Sequence, residues 1–395
     1  MMQKKLRLLA FLLFLTQPFF SQNIQLSVYS EISIITSGPG DNLYERFGHT
    51  AIRVKDPVLN LDVLYNYGIF DFNDPNFYTN FIKGYMNYKL ARYPFHYALK
   101  SANQDERWVK QQVLNLTPKE KNEFFYFLEN NAKPKNAGYL YDPFFDNCAT
   151  RPRDIIVEVL KGRFILKEDF ISKPKSLRTL MNEKIHTNSW GSFGINIALG
   201  NRLDKIATAQ EYLYLPEYLF SALETSKIKR NNTEVNAISK TSILLDFKPK
   251  LSKADSLSPF LVFTILLIIV LIITYSNYKK GKRSRILDFF ILFSTGLLGI
   301  LILFLWFFTN HSTAPKNFNF LWGFAPNLII AFLIVRNKVG KWIKYYIGLL
   351  LLFLILIPFI HVLGVQKFTF PIIPLVLLLL VRYLFLYTSF KKEGI

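Results

Sequence analysis

The chain has 395 residues, of which 51% are hydrophobic, and its formal net charge is +20. This length allows one domain of about 200 residues plus a second unit. Such a charge is typical of nucleic-acid-binding proteins, but here many of the cations lie beside long apolar runs, so nucleic acid is excluded as a partner. The single cysteine excludes an intramolecular disulfide.

An export signal is predicted at residues 1–21. Basic residues at the N-terminus precede an apolar run from Leu8 to Leu15, and the small residue Ser21 offers a cleavage site. The run is short for a membrane span, which needs about 20 apolar residues. A cleaved signal is therefore favoured over a retained anchor, and residues 22–255 are predicted to be exported.

The exported region begins with strand patterns. Apolar and polar residues alternate over Ile24–Ile35, and the turn-forming stretch TSGPGDN follows. The stretch YERFGHTAIRVKDP then predicts a β-hairpin with His49 at the start of its first strand. Its second strand is predicted at Val63–Phe70 and contains YNYG, with Asn66 at its centre.

Two helices are predicted from capping patterns. In TPKEKNEFFYFLENN, Thr117 is the expected N-cap residue, and Glu120 lies at the capping-box position. A second helix follows Cys148, where Asp146 or Asn147 is expected to cap an apolar pattern at 155–160. Strands and helices together predict an α+β domain, and Thr225–Asp255, rich in polar residues, is predicted as late surface structure and a linker.

The C-terminal region, residues 256–395, is predicted to be a membrane domain. Its long Leu, Ile and Phe runs indicate five spans. They are Pro259–Tyr275, Ile286–Phe308, Phe320–Val335, Tyr345–Leu363 and Phe370–Ser389.

The distribution of cations predicts the orientation of these spans. Basic residues concentrate after the first, third and fifth spans, which the positive-inside rule assigns to the cytoplasm. They are Lys279, Lys280, Lys282, Arg283, Arg285, Arg336, Lys338, Lys341, Lys344, Lys391 and Lys392. The exported domain is thus predicted outside the cytoplasm, and the C-terminus inside. Asp288 and Arg382, near cytoplasmic span ends, are expected to cap or to snorkel.

Cys148 is the candidate nucleophile. A helix N-terminus supplies free N–H groups and a partial positive charge, which stabilise a thiolate. His49 is the candidate base, and Asn66 is within hairpin reach to orient it, with Tyr65 or Tyr67 as the alternative. His96 and His186 are expected to be structural. A buried, inert Cys148 is the other interpretation, but the polar residues around it favour a functional one.

Seven residues are candidates for substrate binding. Arg151 and Arg153 are typical either of a phosphate or carboxylate site or of surface ion pairs. His311, in the outward loop between spans, belongs either to an interfacial anchor or to the substrate site. The candidates are Arg53, Tyr65, Tyr67, Asp146, Asn147, Arg151 and His311. The sequence predicts no metal site, because no potential ligands show metal-binding spacing, and no cofactor.

Several long motifs resemble the Lnb family of bacterial envelope proteins, which is associated with lipoprotein N-acylation. These motifs are FGHTAIRV, YNYGIFDF, NFIKGYMNYKL, DNCATRPRD, NSWGSFGINIALGNRLD, LPEYL and HSTAPKNFNFLWG. The order of a strand histidine before a helix cysteine also resembles circularly permuted papain-type domains, as in the lecithin–retinol acyltransferase group.

The resemblance implies an apolipoprotein N-acyltransferase of the bacterial inner membrane with its catalytic domain in the periplasm. Cys148 would take an acyl chain from a membrane phospholipid as a thioester, and His49 would act as base. The chain would pass to the N-terminal amine of diacylated lipoproteins. The lecithin–retinol group commonly has a second histidine where this chain has Asn66.

Two other functions stay open at the level of sequence. Permuted papain-type domains also include cell-wall amidases and peptidases with the same cysteine and histidine. A non-enzymatic envelope scaffold is the third interpretation, and in it Cys148 is a structural residue.

Overall fold

The structure is a computed structural model, and it describes residues 24–336 and 339–392. The predicted signal peptide lies outside the described residues. The ten described strands are β1 Glu31–Ser37, β2 His49–Asp56, β3 Leu61–Ile69, β4 Asn87–Pro94, β5 Val109–Leu114, β6 Gly138–Leu140, β7 Phe164–Ile165, β8 Lys227–Arg230, β9 Thr233–Asn236 and β10 Ile238–Leu245.

A seven-stranded antiparallel sheet organises the exported domain. Its strand order is β10-β5-β1-β2-β3-β4-β6, and β7-β8-β9 form a second, small sheet. The predicted hairpin is confirmed as β2 and β3, in which Ile52 pairs with Tyr65. The first strand was predicted at Ile24–Ile35, whereas β1 begins at Glu31 and ends at Ser37, so the observed strand lies later in the chain.

Eight α-helices are described in the exported domain. They are α1 Phe77–Lys83, α2 Phe95–Gln104, α3 Pro118–Asn131, α4 Thr150–Leu160, α5 Leu177–Asn182, α6 Trp190–Ala198, α7 Ala209–Tyr212 and α8 Pro216–Thr225. The predicted capping box of α3 is present, since Thr117 and Glu120 each accept a hydrogen bond from the other's backbone N–H.

The two faces of the sheet are covered differently. Helices α3, α4 and α8 pack on the face that carries Ile34, Ile52 and Tyr65, while α2 packs on the opposite face, against Ala51 and Leu64. Since side chains alternate across a strand, neighbouring residues of β2 and β3 reach different layers of the domain.

The region Thr225–Asp255 is more ordered than its polar composition predicted. It contains β8, β9 and β10, and β10 extends the main sheet by pairing with β5. A strand at a sheet edge tolerates Lys, Ser and Thr on its solvent-facing side. The polar composition of this segment is therefore compatible with an edge strand as well as with a linker.

Four described helices are long and apolar enough to cross a membrane. They are α9 Pro259–Lys280, α10 Arg285–Phe307, α12 Trp342–Val362 and α13 Ile372–Lys392. The third predicted span, Phe320–Val335, is not a long helix. It consists of a 3-10 turn, Phe318–Leu321, and an eight-residue helix, α11 Asn327–Ile334.

Glycines explain how this broken segment packs. A Cβ added to Gly296 would lie 2.1 Å from the backbone nitrogen of Leu328, and one on Gly299 would lie 2.3 Å from that of Ala325. The segment therefore touches α10 backbone to backbone, as small residues permit in membrane helix packing. Pro326 and Gly323 interrupt the helix that the apolar pattern predicted.

Asp288 and Arg382 form a buried ion pair, so the expectation that they cap or snorkel was wrong. Arg382 Nε lies 2.7 Å from Asp288 Oδ1, and both side chains are 0% exposed. Thr274 and Asn277 of α9 accept further hydrogen bonds from Arg382. Removing one member of a buried pair leaves an unpaired charge, which costs about 3–5 kcal/mol, so the pair ties α9, α10 and α13 together.

The exported and membrane parts are joined by hydrogen bonds around α6. Asn317 and Asn319 donate to the carbonyls of Ile197 and Asn196. The backbone N–H of Gly200 donates to Thr313 at 2.8 Å. The backbone groups involved are buried and well paired, which fixes how the exported domain sits on the membrane helices.

We expect Gly299→Ala to lower the melting temperature of the detergent-solubilised protein clearly. The added methyl would meet backbone atoms of residues 323–325 that cannot move aside, and overpacking typically costs about 1–3 kcal/mol. Gly348→Ala is the matched control, because its Cβ would make ordinary contact at 3.5 Å with the Tyr387 ring. Equal melting temperatures for the two variants would contradict the close packing of α10 and α11.

Candidate active site

Cys148 lies two residues before the start of α4, in a turn that hydrogen bonds of the neighbouring Asn147 stabilise. Asn147 Oδ1 accepts hydrogen bonds from the backbone N–H groups of Ala149 and Thr150 at 2.8 and 3.0 Å. Its Nδ2 donates to the carbonyl of Tyr214 at 2.9 Å. The N-cap position of α4 is Ala149, which makes no side-chain cap, so neither predicted residue occupies it. Asn147 instead stabilises the turn that leads into the helix.

His49 is the first residue of β2 and follows Gly48, whose φ is +77°. A Cβ on Gly48 would also lie 2.9 Å from the carbonyl oxygen of Ser37. Both facts require glycine at this position, immediately before the strand that begins with His49.

Asn66 orients the imidazole of His49. The distance from His49 Nε2 to Asn66 Oδ1 is 2.6 Å, and Asn66 Nδ2 donates to the Tyr93 hydroxyl at 2.8 Å. Because the Asn66 amide nitrogen is used as a donor, its oxygen accepts, and His49 Nε2 carries the proton. His49 Nδ1 is then the ring nitrogen left for the thiol.

The electrostatics of Cys148 and His49 shift both groups in the direction of a thiolate–imidazolium pair. Burial raises the pKa of the Cys148 thiol, but the charge and hydrogen bond of His49, with the backbone N–H of Thr50, outweigh burial and bring the pKa below its usual value. Burial lowers the pKa of His49, and Cys148 and Asn66 more than offset this, so that it is raised. The two shifts move the pKa values toward each other.

Tyr65 and Tyr67 lie on the opposite face of β3 from Asn66. The Tyr65 hydroxyl donates to Glu129, and the Tyr67 hydroxyl accepts from Asn131 at 3.0 Å. Both rings belong to the core beneath α3 and α4. The alternation of side chains along the strand thus leaves Asn66, and neither tyrosine, beside His49.

Arg53 and Arg151 are engaged within the protein. Both Arg53 Nε and Nη2 lie 2.7 Å from the carboxylate of Asp62, and Nη1 donates to Gln111. Arg151 makes a bidentate pair with Asp146 and lies 4.1 Å over the Tyr139 ring. Of the two interpretations of Arg151, the ion pair is the one the structure contains, and the carboxylate of Asp146 is its partner.

The other histidines lie apart from the Cys148–His49 pair. His311 contacts the end of α1, with its ring centroid 6.4 Å from that of Phe81. His96 packs on Tyr97 at 4.1 Å, and His186 accepts from the backbone of Asn188. His311 is therefore placed where the membrane loop meets the exported domain.

Two features of the site were not predicted from the sequence. The first is Tyr93, which completes the chain of hydrogen bonds from His49 through Asn66. The second is a cavity of about 340 Å³ between the sheet and α2, which is lined by His49, Asn66, Tyr93, Phe95 and Arg107 among others. In the structure, Tyr93 pairs with Leu64 of β3, which brings it near Asn66. This position could be predicted only from the register of β4 on β3, which the sequence does not give.

The fold and the site together define a class of protein: a membrane protein with several apolar helices whose exported α+β domain brings together a cysteine, a histidine and an asparagine. Comparison with family models agrees with this description. Residues 19–183 match the Lnb N-terminal periplasmic domain, and residues 251–393 match the Lnb transmembrane domain. The chain belongs to the Lnb family, as its motifs predicted, and its N-terminal domain is periplasmic. No curated protein and no solved structure matched it.

We expect native Cys148 to react with iodoacetamide with a lower pH midpoint than the same thiol in the urea-denatured protein, because His49 lowers its pKa. His49→Ala should raise the midpoint above that of the denatured protein, because burial then acts on the thiol without the opposing histidine. Cys148 is the chain's one cysteine, so intact mass reports on it directly. The urea-denatured protein is the control, and equal midpoints in the native and denatured wild type would contradict the thiolate–imidazolium pair.

Tyr93→Phe should reduce the effect of His49 on the Cys148 thiol without abolishing it. The substitution removes the hydroxyl that accepts from Asn66 Nδ2, so the Asn66 amide loses the contact that fixes which of its atoms faces His49. We expect the midpoint of Cys148 alkylation to rise, but by less than in His49→Ala. Tyr97→Phe, a hydroxyl removal on α2, is the matched control, and a Tyr93→Phe midpoint equal to that of the control would argue against this positioning role.

Proposed function

We propose that this protein is an apolipoprotein N-acyltransferase that works through a thioester on Cys148. The observation that carries the proposal is the buried Cys148–His49–Asn66 arrangement, with Cys148 7% exposed, in a periplasmic domain of a Lnb family membrane protein. A reactive thiol, a base and an orienting amide are the parts that acyl transfer by covalent catalysis requires.

In the first half of the proposed reaction, the Cys148 thiolate attacks an ester carbonyl of a membrane phospholipid. A carbon–sulfur bond forms and the ester carbon–oxygen bond breaks. The alkoxide of the departing lysophospholipid takes a proton from the His49 imidazolium. The products are an acyl thioester on Cys148, a neutral His49 and a lysophospholipid.

In the second half, the N-terminal amine of a diacylglyceryl-cysteine lipoprotein attacks the thioester. A carbon–nitrogen bond forms, the carbon–sulfur bond breaks, and neutral His49 takes the proton lost by the amine. The thiolate and imidazolium are thereby restored, and no cofactor is consumed. A buried thiol suits this sequence, because exclusion of water protects a thioester from hydrolysis.

The proposed orientation places the C-terminus in the cytoplasm after five crossings of the inner membrane. At its outer end the broken third segment contacts the periplasmic domain, where Asn319 donates to Asn196. At its other end the carbonyl of Ile334 accepts from Arg283 at 2.7 Å. Arg283 belongs to the basic connection between α9 and α10, so these contacts support a segment that spans the whole bilayer.

A circularly permuted papain-type fold is part of the proposal. The supporting features are an antiparallel sheet, a histidine that begins a strand, an asparagine on the next strand, and a cysteine that precedes a helix later in the chain. In this arrangement the base and its orienting residue come before the nucleophile in sequence, which is the order that the permutation produces.

The test is intact-mass analysis of the N-terminal peptide of a reporter lipoprotein, from cells that rely on this protein as their N-acyltransferase. Wild type should add a third acyl chain, and Cys148→Ala and His49→Ala should not. His96→Ala is the matched control, since this exposed histidine lies on α2 and packs on Tyr97. Diacylated lipoproteins in the wild-type strain would overturn the proposal and direct the search to cell-wall peptides.

A further inference from the structure

A continuous row of aromatic rings leads from Cys148 to the loop that joins α10 to α11. Ring centroids are 4.6 Å apart for Tyr141 and Tyr88, 4.9 Å for Tyr88 and Phe70, and 5.8 Å for Phe70 and Phe77. From Phe77 the row continues to Tyr78 and Phe81. We name this row the aromatic strip, and its members are Tyr141, Tyr88, Phe70, Phe77, Tyr78 and Phe81.

The inner end of the aromatic strip lies at the thiol. Gly68 separates Tyr141 from Cys148, and a Cβ at Gly68 would lie 3.2 Å from Tyr141 Cε2 and 3.8 Å from Cys148 Cβ. The φ of Gly68 is +93°, and β3 bulges against β4 at this point. A glycine in a bulge keeps the space between ring and sulfur free of a side chain.

The outer end of the aromatic strip lies at the membrane domain. The backbone N–H of Asn310 donates to the carbonyl of Lys83, the last residue of α1, at 2.8 Å. Gly84 packs directly on the backbone of Asn310 and His311. Helix α10 ends just before this contact; its last residue, Phe307, is 64% exposed, and the following residue, Phe308, is 74% exposed.

The outer rings of the aromatic strip are exposed although they are apolar. Tyr78 is 65% exposed and Phe81 is 48% exposed. An exposed apolar patch of several large side chains marks a surface that contacts a partner or a membrane. Because this patch continues into the exposed end of α10, and aromatic side chains favour the bilayer interface, its partner is lipid.

We propose that the aromatic strip guides one phospholipid acyl chain from the outer face of the bilayer to Cys148. This inference rests on the proposed function for the identity of the donor, and it adds the route that the donor takes. In the donor, the ester carbonyl that Cys148 attacks is attached directly to the acyl chain, so a chain that lies along the row gains contact area and brings its own carbonyl to the sulfur. In the acceptor, the reacting group is the amine, and its two acyl chains are attached elsewhere, on the glyceryl group.

The experiment compares two alkylating reagents on the full-length protein in nanodiscs of phosphatidylethanolamine and phosphatidylglycerol. Iodoacetamide reaches Cys148 from water, and N-dodecyl iodoacetamide reaches it from the bilayer. In both cases the sulfur displaces iodide, and intact mass gives the rate. The ratio of the alkylation rate with the long-chain reagent to that with the short-chain reagent measures how readily a chain reaches Cys148 along the aromatic strip. The measurement does not depend on acyl-transfer activity.

We expect the double variant Tyr78→Ser, Phe81→Ser to lower this ratio about tenfold, through the loss of two aromatic contacts with the chain. Leucine at both positions should largely keep the ratio, because the surface stays apolar. Tyr29→Ser is the matched control. Tyr29 is 71% exposed and lies in the turn that Ser27 joins to Asp56, at the far end of β2 from His49.

An unchanged ratio in the double serine variant would overturn the inference, and so would an equal loss in Tyr29→Ser. The outcome is separable from that of the lipoprotein assay. Suppose the serine variant lowers the ratio of alkylation rates but lipoproteins in the wild-type strain stay diacylated. The aromatic strip would then stand as an acyl-chain route, and N-acyl transfer would be refuted.

Discussion

The hydrogen bond between His49 and Asn66 is the constraint on which the chemistry of the site depends. It joins neighbouring strands of the sheet at 2.6 Å, and Tyr93 fixes the Asn66 amide from the other side. The bond assigns the proton to Nε2 and frees Nδ1 for Cys148. The position of the base is therefore set by the register of three strands, which is far stiffer than a loop.

Burial and charge oppose each other at Cys148, and the balance explains the arrangement around it. A buried thiol alone would be neutral and inert. His49, the N–H of Thr50 and the nearby helix N-terminus compensate for desolvation, so the sulfur is both shielded from water and ionisable. Such a combination suits a covalent intermediate that must outlast contact with solvent, and a purely structural cysteine would not require it.

The site was predictable where local sequence patterns decide the structure. The turn at Gly48 and the alternation after His49 are local signals, and they placed the histidine at the start of a strand correctly. The apolar pattern at 155–160 likewise predicted the helix that follows Cys148. Tyr93 was not predictable, because β4 reaches β3 only after α1 and a bulge between Asn66 and Ile69. Gly323 and Pro326 are helix-breaking residues in the sequence of the third predicted span, but the long apolar run favoured the prediction of a continuous helix.

The contact between the two parts of the protein reaches the loop that carries Cys148. Ser312, in the outer loop, donates to Asp142. Asp142 pairs with Asp146 through both backbone groups and accepts from the N–H groups of Phe144 and Phe145. The loop that presents Cys148 is thus held at one end by a residue of the membrane domain. For the proposed acyl transfer between two lipids, this attachment would hold the thiol at a fixed height above the bilayer.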